Sequence, residues 1–175
     1  NSGTAVTVAV GNTITFPAET GTNIGNYNTV LSCLAGGGAT ANALSGTNGQ
    51  VSNTLVIGAG DSGKAIVCTY TNTRKTSTLQ LAKAWGLNSL ASDSATVGAT
   101  SGGLNNTSSF TTAGGTAANS GVAVTVAAGN TITFPAETGT NIGNYDTVLS
   151  CIADGGATAN TLSGTNGQVA NTLVI

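Results

Sequence analysis

NSGTAVTVAVGNTITFPAETGTNIGNYNTVLSCLAGGGATANALSGTNGQVSNTLVI occupies residues 1–57, and NSGVAVTVAAGNTITFPAETGTNIGNYDTVLSCIADGGATANTLSGTNGQVANTLVI occupies residues 119–175. The register between them is constant: Cys33 recurs as Cys151, an offset of 118 residues. Seven of the 57 aligned positions differ, all mildly: Thr4/Val122, Val10/Ala128, Asn28/Asp146, Leu34/Ile152, Gly36/Asp154, Ala43/Thr161 and Ser52/Ala170. A period of this length is a whole domain and not one turn of a solenoid, whose repeats run about 20–50 residues. The near-identity implies recent duplication, as in long arrays. The second copy stops in a hydrophobic strand that the first copy continues past, so further sequence is expected on both sides.

Alternation of apolar and polar residues marks the strands. Val122, Val124 and Val126 should point to one face; a Gly-Asn turn then leads to NTITF (130–134), which Pro135 ends. YDTVLSCI (145–152) follows. NTLVI (171–175) has its counterpart at 53–57, which leads through a glycine-rich turn into AIVCTYTN (65–72). Between the two copies, LQLAKAW (79–85) places Leu79, Leu81, Lys83 and Trp85 on one face, and SATVGAT (94–100) and SSFTT (108–112) read as strands. Seven or eight short strands per repeat, with turns at regular spacing, predict an all-β fold. The expected architecture is an immunoglobulin-like (prealbumin-like) β-sandwich in tandem repeats of about 118 residues. The charged stretch Thr73-Arg74-Lys75-Thr76-Ser77 marks the boundary. Residues 1–75 then form the C-terminal part of one repeat, and 76–175 the N-terminal and central part of the next.

Composition narrows the function. Charged residues are 6% of the chain against about a quarter in ordinary proteins, and Thr, Ala, Gly, Asn and Ser dominate. Thr and Val favour strands, while Gly and Asn favour turns. Six acids against four bases leave no basic patch for nucleic acid. No run of about 20 apolar residues exists to span a membrane. Two cysteines per repeat, each in a strand, suggest one Cys33–Cys68 disulfide and an oxidising compartment; two buried thiols are the alternative. On the repeat register, Cys151 should find its partner beyond residue 175. With no His and no paired CxxC, a zinc site is not expected, and no cofactor is implied.

The stretch CTYTNTRKTSTLQLAKAW (68–85) resembles the junctions in large bacterial surface proteins built of tandem immunoglobulin-like repeats, similar to the prealbumin-like domains of SpaA-type pilins and Cna B-type adhesins. The resemblance implies an extracellular stalk, adhesin or filament. It also implies a Lys–Asn isopeptide bond assisted by an acid, for which Lys83 and Asn72 are the candidates, each pairing with a neighbouring repeat. The sequence departs from that pattern where the family often carries Glu: Cys33 and Cys151 stand there. Glu19, Glu137 and Asp93 are the remaining acids to consider. The plainer reading of Lys83 is a strand-end lysine that snorkels to solvent or guards an edge.

Other motifs point away from catalysis. GAGDSGK (58–64) matches a phosphate-binding loop in outline, but a strand follows it in place of a helix, and Ala65 stands where a hydroxyl is needed. A hairpin turn accounts for it better. Without His no Ser-His-Asp triad forms, and Glu137 with Asp146 is a poor glycosidase pair. FPAETG (134–139) reads as a turn. Trp85, Tyr27, Tyr145 and Tyr70 fall on inward faces, as core packing and not as a sugar platform. The leading expectation is therefore a non-enzymatic structural unit of an extracellular bacterial filament, stalk or matrix fibre, self-associating through neighbouring repeats. The alternative is a repetitive surface adhesin for glycan or host receptor, gaining avidity from repetition.

Overall fold

The computed structural model describes residues 3–36, 44–101, 107–115, 118–152, 162 and 164–175. The chain separates into two compact units, Asn1–Lys75 and Thr76–Ile175.

In the first unit, β1 (Thr13–Phe16) pairs antiparallel with β4 (Asn53–Val56). A second sheet has the order β3–β2–β5, from β2 (Tyr27–Ala35), β3 (Thr47–Asn48) and β5 (Ile66–Arg74). The period-two pattern of β2 is expressed directly: Thr29, Leu31, Cys33 and Ala35 are buried, while Asn28, Val30 and Leu34 are exposed. The two sheets face one another across Leu31, Cys33, Leu55 and Ile57, with Ile14, Phe16, Ile66 and Tyr70 packed against them. The 58–64 segment joins β4 to β5, which lie in different sheets, so it is an inter-sheet crossing and not the hairpin expected from its glycines. A short 3-10 turn at Ala59–Asp61 is closed by the Asp61 carboxylate, which accepts from the Gly58 N–H at 2.9 Å. The carboxylate occupies the backbone donor that a phosphate would need.

The second unit contains β6 (Thr76–Leu79), β7 (Ala82–Lys83), β8 (Ser94–Ser101), β9 (Thr107–Ala113), β10 (Asn119–Ser120), β11 (Val124–Ala127), β12 (Thr131–Phe134), β13 (Val148–Leu149), β14 (Thr165–Asn166) and β15 (Asn171–Val174). Its main sheet has the order β15–β12–β8–β9; β6 pairs with β11, β7 with β10, and β13 with β14, all antiparallel. The core is Leu81, Ala99, Val126, Ile132 and Phe134, flanked by Leu79, Val97, Phe110, Leu149 and Leu173.

Val122 does not join Val124 and Val126 on the inner face; it precedes β11 and is 80% exposed. The 145–152 stretch forms only the two-residue β13, whereas its counterpart β2 has nine residues. FPAETG is not a simple turn. Glu137 N–H donates to Gly167 O at 3.0 Å and Thr138 bridges to Thr96, so the segment is stitched between its neighbours. The aromatic residues Tyr27, Tyr70, Trp85 and Tyr145 are half-buried. Tyr70 spends its hydroxyl on Pro17 O at 3.2 Å, and Trp85 meets Tyr145 edge-on with ring centroids 5.2 Å apart.

Candidate functional site

The alternation of LQLAKAW turns Leu79, Leu81, Lys83 and Trp85 inward, while Gln80, Ala82 and Ala84 are exposed. Lys83 is fixed by the β7–β10 pairing, where it stands opposite Asn119. Its side chain does not run out to solvent. It is 12% exposed, its Nζ lies 2.5 Å from Glu137 Oε1, and it sits 5.0 Å from the centroid of the Trp85 ring. Glu137 is held in place by the stitched backbone after Pro135, and its side chain is 2% exposed. A charge buried this far is tolerable only when paired, and Lys83 is its partner.

The equivalent acid in the first unit, Glu19, meets Asn72 instead. Asn72 Nδ2 donates to Glu19 Oε1 at 2.9 Å, and Thr29 Oγ1 donates to Asn72 Oδ1 at 2.6 Å. Glu19 is positioned as Glu137 is, its N–H donating to Gly49 O at 2.9 Å. Gln50 braces the same corner, with its Nε2 donating to Ile24 O and Tyr27 O. The same carboxylate position therefore touches the lysine in one unit and the asparagine in the other.

Of the three acids weighed from sequence, Glu137 and Glu19 are the ones placed against Lys83 and Asn72. Asp93 is engaged elsewhere: its carboxylate accepts from Asn141 Nδ2 at 2.9 Å, from the Tyr145 hydroxyl and from Ser92. These donors, Asn141 first and then Tyr145, hold Asp93 below its ordinary pKa, and the same Asp93 bond raises that of Tyr145. The resemblance places its acid on the strand of Cys33, where this sequence carries Cys33 and Cys151, and leaves Glu19, Glu137 and Asp93 as the candidates. The signal for Glu19 and Glu137 was its Pro-Ala-Glu setting, identical in both copies.

Cys33 and Cys68 stand directly opposite in the β2–β5 register and form a disulfide closing 35 residues. Cys151 is a half-buried free thiol, and burial pushes its pKa up. Among the described residues no helix is long and apolar enough to cross a membrane.

Two antiparallel all-β units with sandwiched cores define the class of protein. Prealbumin-like fold domains match residues 1–74 and 78–174, so each unit carries its own match. The chain belongs to the SpaA-type prealbumin-like fold domains. Domains of this kind are structural modules, typically at the cell surface. No curated protein and no solved structure matches the chain.

Proposed function

We propose that the chain is a structural segment of an extracellular bacterial filament, stalk or matrix fibre, in which each repeat of about 118 residues is one covalently reinforced bead. The observation that carries this reading is the near-identical sequence placed, at a constant offset, in two consecutive prealbumin-like units. Selection on a catalytic or recognition site would concentrate chemistry in one place. Here the polar pairs, Lys83 with the buried Glu137 and the exposed Asn72 with Glu19, serve cohesion within the units. Sparse charge favours close packing of neighbours.

The reinforcement comprises the Cys33–Cys68 disulfide and Lys–Asn amides made by Lys83 and by Asn72. Lys83 and Asn72 belong to different units, so each would take its partner from the neighbouring repeat. In the bond-forming step Glu137 accepts a proton from Lys83 Nζ. The freed amine attacks the asparagine side-chain carbonyl carbon. The new amide N–C bond forms and the bond to Nδ2 breaks; the departing nitrogen takes one proton from the attacking amine and the one that Glu137 returns, and leaves as ammonium. The pairing of equivalent carboxylates with lysine in one unit and asparagine in the other supports this assignment.

An adhesin would need a recognition surface. A polar depression of about 390 Å3 is bordered by Asn28, Thr29, Asn48, Gln50 and Lys75. It has no aromatic ring on which a sugar could stack, so the adhesin remains the second reading. Electron microscopy of the native material discriminates them. Continuous fibres with an axial repeat of one unit are expected; separate molecules or short stalks with a distinct head would refute the filament.

A further inference from the structure

The dipeptide Asn-Gly occurs twice in the chain, as Asn48-Gly49 and Asn166-Gly167, at equivalent positions of the two copies. In both, an exposed asparagine ends a two-residue strand, β3 or β14, and the glycine after it is buried. The fold requires the glycine. A Cβ at Gly49 would lie 2.6 Å from Thr29 Cγ2, and one at Gly167 would lie 2.6 Å from Thr147 Cγ2. No side chain therefore stands between the asparagine and the next backbone nitrogen, the setting in which an asparagine can deamidate by itself.

The geometry around each pair separates the two reacting groups. The asparagine carbonyl is activated. Asn48 Oδ1 accepts from the Gln50 N–H at 2.9 Å, and Asn166 Oδ1 accepts from the Gln168 N–H at 2.8 Å, a contact that draws electrons from Cγ. The nucleophile is withheld. The Gly49 N–H donates to Thr29 O and the Gly167 N–H to Thr147 O, each at 3.0 Å. The same peptide is fixed at its other end, Asn48 O accepting from Asn53 Nδ2 and Asn166 O from Asn171 Nδ2, both at 2.9 Å. While these bonds hold, the glycine nitrogen cannot turn toward the side chain.

We propose that Asn48 and Asn166 are self-deamidation sites latched by the fold and released when β3 or β14 parts from its neighbour. In the released segment the Gly49 nitrogen gives its proton to water and attacks Asn48 Cγ. The N–Cγ bond forms, the bond to Nδ2 breaks, and Nδ2 leaves as ammonia with a proton from water. Water then opens the cyclic imide at either carbonyl, leaving aspartate or isoaspartate. Isoaspartate carries the main chain through Cβ and so lengthens it. The glycine carbonyl beyond it is displaced, and that carbonyl is the acceptor of the Glu19 N–H at 2.9 Å in the first unit and of the Glu137 N–H at 3.0 Å in the second. An opened unit is thereby marked and no longer closes as before. The inference does not depend on the filament reading.

The whole chain and a synthetic peptide of residues 44–53 are aged side by side at mildly alkaline pH, and deamidation is read by peptide mapping with mass spectrometry. The peptide should deamidate readily. Both sites in the folded chain should react at least about tenfold more slowly, the factor given by a local opening of about 1.4 kcal/mol. Sub-denaturing urea should raise the rate at each asparagine in proportion to amide exchange of the glycine after it. Equal rates in chain and peptide, no reaction in the peptide, or a folded-chain rate that stays constant while glycine exchange rises would overturn the inference. The aged chain should also unfold at a lower midpoint than the Asn48→Asp, Asn166→Asp variant, which gains the charge without the longer backbone. Equal midpoints would overturn the marking step.

Discussion

Lys83 and Glu137 illustrate how a single buried charge is tolerated. Alternation in LQLAKAW forces the lysine inward, and only the stitched segment after Pro135 delivers a carboxylate to meet it. Removing one partner leaves the other uncompensated, so Glu137→Gln should destabilise the second unit by about 3 kcal/mol. Replacing both, as Lys83→Met with Glu137→Leu, should recover most of that loss; chemical denaturation of the variants measures it. Asp93 makes a pH-dependent contribution. Its carboxylate is favoured by Asn141 and Tyr145, so its folded-state pKa lies below the ordinary value of 3.8. The stabilisation is present above that value and is lost as pH falls through the lowered one. Tyr145, raised above 10.0, works oppositely, and its contribution is lost as pH rises through the raised value. Thermal unfolding by circular dichroism should therefore show an acid decline of the second unit below about pH 4, and Asp93→Asn should flatten that decline.

At the element scale, TITF lies as β12 between β15 and β8, with Ile132 at 0% and Phe134 at 3% exposure. Cross-strand partners of this kind decide the burial of a short apolar run more than intrinsic preference does. The sequence pattern was legible at 94–100 and 108–112, which form β8 and β9. The disulfide belongs to this scale too, because it ties the two longest paired strands of the first unit. Closing 35 residues should contribute about 4 kcal/mol through the unfolded state. Reduction, or Cys33→Ala with Cys68→Ala, should lower the unfolding midpoint of the first unit and leave that of the second unchanged, as differential scanning calorimetry would resolve.

For the whole molecule, the sequence by itself determined the all-β class, the duplication at a constant offset, the family resemblance and the candidate Lys83 and Asn72. Each of these is carried by local alternation or by direct comparison of two strings, and neither needs distant contacts. What only the tertiary structure decided is which acid meets them. Glu19 and Glu137 lie far in sequence from Asn72 and Lys83, in a Pro-containing segment that reads locally as a turn. Hydrogen bonds from remote strands bring them to the site. Tertiary structure likewise decided that 58–64 crosses between sheets. A strand's hydrogen-bonding edges are the same whatever its side chains, so the presence of a neighbour cannot be read from the strand itself.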